Sequence, residues 1–411
     1  MRDSNSASCR AYLRRGCRAR TALALLLLSS TAASVDDPPW PQYGGGATHT
    51  SALDRDLMLE GTRLLWSRQV LPGNVRSLTV GSGRVFASTS TGGNGATAVV
   101  ALAIATGAEQ WHINTDNVFY YSTAPAYDYQ SQSLVHSTAN PTIGEVALRC
   151  YSAVDGTLRW VSTFPANVTD SPFGPTIIDG FAYVPASWSA GLVKVRMSDG
   201  ANMGSALFFA SGNDFAATPL GPDRLLVNSN SLLVVDRATM ATQYGINDPV
   251  VQGGYGLQGQ AAVLTNEGLA VLVTNNHLIA FDVAGRATAW SFRIGASGQV
   301  GYDGRDLFAP ASGALSVRDP LSGAARWAWE PPTGYLRRMI IFRDHVAAMT
   351  GEAVHLVNRT SRAANHVIEL SQGLNPFVMA YADDTLLVGF GSGHVAAFRV
   401  PSTPLLADGF E

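Results

Sequence analysis

Apolar residues in this chain come in short runs of about four to eight, each broken by Gly, Asn, Asp or Ser clusters. Between 260 and 293 four such runs follow one another, at 260–265, 269–274, 278–283 and 287–293. Runs this short, either apolar throughout or alternating, read as β-strands, and no stretch outside the N-terminal leader keeps a helical period for more than a turn or two. The quartet recurs along the chain. Segments 99–111, 148–160, 278–290 and 315–327 share one form, a strand, a Gly-containing turn and a second strand ending at Trp111, Trp160, Trp290 and Trp327. Weaker copies end near Met203, Tyr244 and His366, and Trp66 stands alone as a copy of the last part. The separations are 45, 49, 43, 41, 46, 37 and 39 residues, the period of a four-stranded propeller blade.

Eight anchors predict an all-β fold, an eight-bladed β-propeller of four-stranded antiparallel blades. The last interval holds three strands, at 377–381, 385–389 and 394–400. Residues 64–70 supply the missing outer strand, so the N-terminal strand joins the last blade and closes the ring without leaving a long edge open. The repeated glycines, Gly107, Gly156, Gly285 and Gly323, are expected where the turn into the outer strand needs positive φ. The tryptophans recur at one place in blade after blade and are expected to cover the seams between blades rather than a ligand.

Composition narrows the class. With 46% hydrophobic and 14% charged residues the chain is neither disordered nor collagenous. Residues 1–34 read as a secretory signal peptide: Arg2, Arg10, Arg14, Arg15, Arg18 and Arg20, then an apolar run at 22–28 too short to span a bilayer, then small residues. The expected divisions are this leader, a lead-in at 35–61, the propeller at 62–400 and a tail at 401–411, with a periplasmic or secreted location. Without the leader, 22 basic side chains face 30 acidic ones, and Lys194 is the single lysine. No basic run outside the leader suits phosphate binding, so a nucleic-acid partner is not expected. Cys150 is the one cysteine left, which excludes an intramolecular disulfide in the processed chain, and its apolar neighbours suggest a buried thiol.

The opening at 40–51, from Trp40 to Ser51, together with the recurrent Leu-x-Ala-x-Asp-x-x-Thr-Gly-x-x-x-Trp form, resembles the PQQ-like β-propeller repeat proteins of the quinoprotein alcohol dehydrogenase-like superfamily. The resemblance spans about 40–400. It implies either a dehydrogenase using pyrroloquinoline quinone and calcium or a non-enzymatic propeller similar to the outer-membrane assembly lipoprotein. Against the first, the paired cysteines and the carboxylate cluster for calcium are missing; Asp303, Asp306, Asp383 and Asp384 read as turn residues. Against a lipoprotein anchor, no lipid-accepting Cys follows the leader's apolar run. Residues 254–259 spell a dinucleotide fingerprint, but a strand follows where the fingerprint needs a helix. The histidines show no metal-binding spacing.

These observations favour an exported, non-catalytic binding or assembly module with no cofactor and no metal. Its expected partner is an envelope protein, a peptide or a carbohydrate, and the chain is expected to be monomeric. The alternative is a PQQ- and calcium-dependent dehydrogenase acting on an alcohol or sugar. Links from each outer strand to the next inner strand, and from second to third strand, emerge on one face. Candidate binding residues there are Asn117, Phe119, Tyr120, Tyr121, Trp188 and Tyr255, with 136–140 and 275–277 among the expected rim loops.

Overall fold

The computed structural model describes residues 40–403, except 71–72, 91–97, 115–120, 141–144, 166–173, 187–190, 209–214, 249–260, 275, 297 and 372. The leader and the tail beyond 403 therefore lie outside the described residues. Eight antiparallel blades follow in chain order. Blade 1 is built from Asn74–Gly81, Arg84–Ser90, Ala98–Ala103 and Glu109–Asn114, inner strand to outer. Blades 2 to 7 repeat this order. Blade 8 takes Pro376–Ala382, Thr385–Phe390 and His394–Arg399 from the C-terminal end, and Arg63–Gln69 pairs with the last of these as its outer strand. Ring closure through the N-terminal strand is thus as the repeat predicts.

Each blade is a sheet with neighbours on both faces, which explains why its middle strands read as unbroken apolar runs instead of alternating ones. Leu269–Thr274, His345–Met349 and Thr385–Phe390 are buried along their whole length, while the outer strand Ala363–Glu369 alternates. The core is distributed among the seams. Val146, Leu148 and Cys150 of blade 2 pack with Ala182, Val184 and Val195 of blade 3, and similar clusters fill the other junctions.

At the outer end of the seams one geometry recurs. The turn into each outer strand places one residue at positive φ: Gly107, Gly156, Gly200, Met240, Arg286, Gly323 and Arg362, between 57° and 75°. A register shift in the same pairing of every blade then sets the outer-strand residue four positions later onto the following blade. Trp66 lies over Gly107, Trp111 over Gly156, Trp160 over Gly200 and Trp290 over Gly323, so close that a Cβ on any of these glycines would meet the ring within 2.5–2.9 Å. The Trp66, Trp111, Trp160 and Trp290 indole N–H groups donate across the seam to Ile104 O, Ala153 O, Met197 O and Pro320 O at 2.7, 3.2, 2.8 and 3.2 Å. Each acceptor lies three residues before the turn glycine. A half-buried Trp removes about 100 Å² of apolar surface from water, worth about 2–3 kcal/mol per seam.

Two seams exchange partners. Gly204 occupies the tryptophan position of blade 3, and the facing turn residue is Met240, whose Cγ lies 3.7 Å from where a Gly204 Cβ would sit. Tyr244 of blade 4 faces Arg286, whose guanidinium carbon is 4.1 Å from the ring centre, while the Tyr244 hydroxyl donates to Val283 O at 3.1 Å. This corrects two sequence expectations. Gly285 does not take positive φ; Arg286 does, because the turn is set by the four-residue spacing to Trp290 and not by where a glycine is spelled. The anchor of blade 3 is Gly204; Met203 is the extra residue at the register shift and is exposed. Trp327 packs beside Ala364 in the seam between blades 6 and 7.

Residues 40–58 do not stand apart as a lead-in; they form a strap across the inner edges of the blades. Inner strands end in unpaired backbone groups facing the axis, and edges of that kind need partners. Trp40 O accepts from Val80 N in blade 1 and Pro41 O from Tyr127 N in blade 2, both at 2.8 Å. The Gln42 amide exchanges two hydrogen bonds with the Ile177 backbone in blade 3, at 3.1 and 2.9 Å. His49 Nε2 lies 3.1 Å from Ala217 O beside blade 4, and Tyr43 packs on Ala216 and Ala261. Thr50 O and Ser51 O accept from Tyr302 N and Ile341 N, and Ala52–Leu53 runs parallel to the inner strand of blade 7.

Gly83→Ala and Gly107→Ala separate the two demands on the seam glycine, since both positions have φ near 67° but only Gly107 faces a ring. Denaturant unfolding is expected to show a loss of about 1 kcal/mol for Gly83→Ala, and a further loss of about 1–3 kcal/mol for Gly107→Ala.

Candidate functional site

Alternation of strand direction gives the ring two unlike faces. The strap lies toward the face of the inner-to-second turns, where Gly45, Gly46 and Ala47 border a 420 Å³ cavity with Gln130 and Gly180. The opposite face carries the outer-to-inner links and the second-to-third turns. Of the candidate residues placed there by sequence, Asn117, Phe119, Tyr120, Trp188 and Tyr255 lie outside the described residues. Tyr121 is in the short strand Tyr121–Ser122, which pairs with the second strand of blade 2. Residues 136–140 are a correction: they belong to the strand Ser133–Asn140 and are not a rim loop.

The rim holds a cavity of about 540 Å³, of whose lining the sequence reading named Asn276, in the expected rim loop 275–277, but not the residues of the blade links. It spans the links between blades 5, 6, 7 and 8, with Asn276, Ala296, Tyr335, Arg337, Arg338 and Phe377 on its wall. Short backbone hydrogen bonds shape it: Ile294 N to Asn276 O at 2.7 Å, Leu336 N to Gly313 O at 2.7 Å, and Gly391 N to Asn375 O at 2.7 Å. Arg337 donates to Asn375 Oδ1 and, at 3.0 Å, to Pro376 O, and its guanidinium carbon lies 5.3 Å from the Tyr335 ring centre. Arg338 Nη1 donates to Arg337 O at 3.1 Å. Tyr335 is 56% exposed. The sequence did carry a signal, since Arg337-Arg338 is the one adjacent basic pair outside the leader.

A separate space of about 30 Å³ lies between Trp40, Tyr43, Arg76, Gln299 and Met379, a volume that holds a water molecule or two. Among the described residues no group of three or more His, Cys, Asp or Glu is placed to hold a metal ion. Asp303 and Asp306 pair with Arg359 at the strap-side turns, and Asp384 accepts from Ser402 N at 3.0 Å. Cys150 is buried, and desolvation raises its thiol pKa, which makes it an inert packing residue.

This is an all-β, eight-bladed propeller. No protein-family model and no curated protein matches the sequence. Among solved structures, the chain is similar to BamB from Moraxella catarrhalis, with a TM-score of 0.60 and 12% identity over 82% of this chain and 99% of that one. It is also similar to the computationally designed Ika8 protein, with a TM-score of 0.58 and 10% identity over 82% and 99%. At these identities the likeness is one of fold. No helix among the described residues is long and apolar enough to cross a membrane.

His136 gives the fold a pH limit. Burial, with nearby Arg149 adding to it and a backbone hydrogen bond to Thr123 opposing it, lowers its pKa from 6.5 to about 3. Desolvation also lowers His49 and His355. These rings are neutral in the folded state and take up protons only on unfolding below the ordinary value, so stability is full above about pH 7 and falls as pH drops from about 6.5 toward 3. His136 contributes a slope of up to about 1.4 kcal/mol per pH unit in that window. Denaturant melts at a series of pH values check this, and His136→Gln is expected to flatten the slope whatever it does to stability at pH 7.

Proposed function

We propose that this chain is an exported, non-catalytic propeller that binds a protein partner across its cavity-bearing rim and serves as an assembly module of the bacterial envelope. The observation that carries the reading is the chemistry of the cavity wall. Two guanidiniums, amides and aromatic rings surround the space, and its described lining includes no carboxylate, histidine, cysteine or serine to act as base or nucleophile. Arg and Tyr are the residues that anchor protein interfaces. The likeness in fold to BamB, together with the resemblance of the repeats to the assembly branch of the PQQ-like propellers, supports a protein as the partner. The leader-like first 34 residues support export.

Site-specific photo-crosslinking in cells tests the reading. A benzoylphenylalanine in place of Tyr335 is expected to give a discrete adduct with an envelope protein, while the same group in place of Arg305, on the strap face, gives none. Equal labelling from both faces, or none from Tyr335, overturns it. A melting-temperature titration with pyrroloquinoline quinone and calcium is expected to show no saturable shift; a calcium-dependent rise would favour the quinoprotein alternative.

A further inference from the structure

We propose that the rim cavity takes an extended acidic peptide segment of the partner, its carboxylates seated on Arg337 and Arg338. The inference deepens the binding reading above and rests on it.

Charge is the first argument. The chain carries 28 basic and 31 acidic residues, a formal net charge of −3. Elsewhere Arg196, Arg237, Arg326, Arg343 and Arg359 each pair with an aspartate. Arg68 and Arg159 also hydrogen-bond only to neutral acceptors, and what sets Arg337 and Arg338 apart is their position. They adjoin in sequence, share one cavity, and every hydrogen bond they make goes to a neutral acceptor. Glu352, on the neighbouring turn of blade 7, is engaged by the Thr333 hydroxyl at 3.1 Å and forms no ion pair with either arginine. Two half-buried like charges repel, and the arrangement is relieved when a carboxylate enters.

Preorganisation is the second. The amide oxygen of Asn375 and two backbone carbonyls fix both side chains without neutralising them, so the ordering cost is met before a ligand arrives. The planar fork of each guanidinium suits a carboxylate.

Shape selects a peptide. The cavity runs along the rim past three blade junctions, so an occupant that fills it lies along the rim. Exposed Tyr335 and half-buried Phe377 offer apolar contacts on either side of the arginines. With two cations on a net acidic chain, long-range steering disfavours a nucleic acid.

The test uses fluorescence polarisation of the exported chain with a labelled peptide of alternating Glu and Val, its Gln-and-Val counterpart, citrate and a single-stranded oligonucleotide. The acidic peptide is expected to bind, to weaken with added salt, and to lose about tenfold in affinity in Arg338→Gln and about a hundredfold in Arg337→Gln with Arg338→Gln. Arg343→Gln, on the strap face, is expected to leave binding unchanged. Because Arg337 also ties the link to Asn375, a charge swap gives an independent readout: Arg338→Glu is expected to refuse the Glu peptide and accept a Lys-and-Val peptide. Equal binding of the Gln peptide, tighter binding of citrate or the oligonucleotide, or indifference to Arg338→Glu overturns the proposal. If Tyr335 still crosslinks to a protein while the acidic peptide fails, the acidic-segment inference falls and the binding reading stands.

Discussion

The ring depends on seating outer-strand residues on the positive-φ turns of the following blades, a contact shown at six of its seams. A four-stranded blade cannot bury its own faces, so the seams are the core, and the outer end of each seam must be sealed against water. Trp66, Trp111, Trp160 and Trp290 do so by lying on bare glycine and donating to the carbonyl three residues before it. Where the outer residue is Gly204, the turn supplies Met240, and where it is Tyr244, the turn supplies Arg286. Neither member of the pair is fixed by itself.

Ring closure creates a second requirement, because eight inner strands converge with their edges toward the axis. The strap at 40–58 answers it with backbone hydrogen bonds and the Gln42 amide. One consequence is asymmetry: one face carries the strap and a cavity of about 420 Å³ beside it, and the other carries the cavity of about 540 Å³ spanning blades 5 to 8. The site is a product of the links, whose sequences are free to vary once the seams hold the blades.

The blade count, the strand order and the shared eighth blade were legible because Trp recurs with a fixed period and because Trp66 had no preceding strands of its own. The seam pairing was only partly legible. Gly285 misled since a glycine stood one residue from the turn position, and Met203 misled since the register shift displaces the facing residue to Gly204. The strap's path left no mark beyond the family-like opening at 40–51, because backbone hydrogen bonds to distant strands impose no local pattern. His136 read as a rim residue for a related reason: the second strand of blade 2 is longer than the second strands of blades 1 and 3 and carries a neutral buried histidine. Arg337-Arg338 was visible as a pair, but its meaning came only from the absence of any carboxylate paired with it among the described residues.

A double-mutant cycle of Trp111→Ala and Gly156→Ala measures the seam directly. Trp111 is 9% exposed, and a Cβ at Gly156 would meet its ring at 2.9 Å. With Trp111 present, Gly156→Ala is expected to cost the strain of positive φ plus displacement of the ring; with Trp111→Ala it is expected to cost the strain alone. The predicted coupling is about 1–3 kcal/mol. Costs that are equal in the two backgrounds would contradict the account.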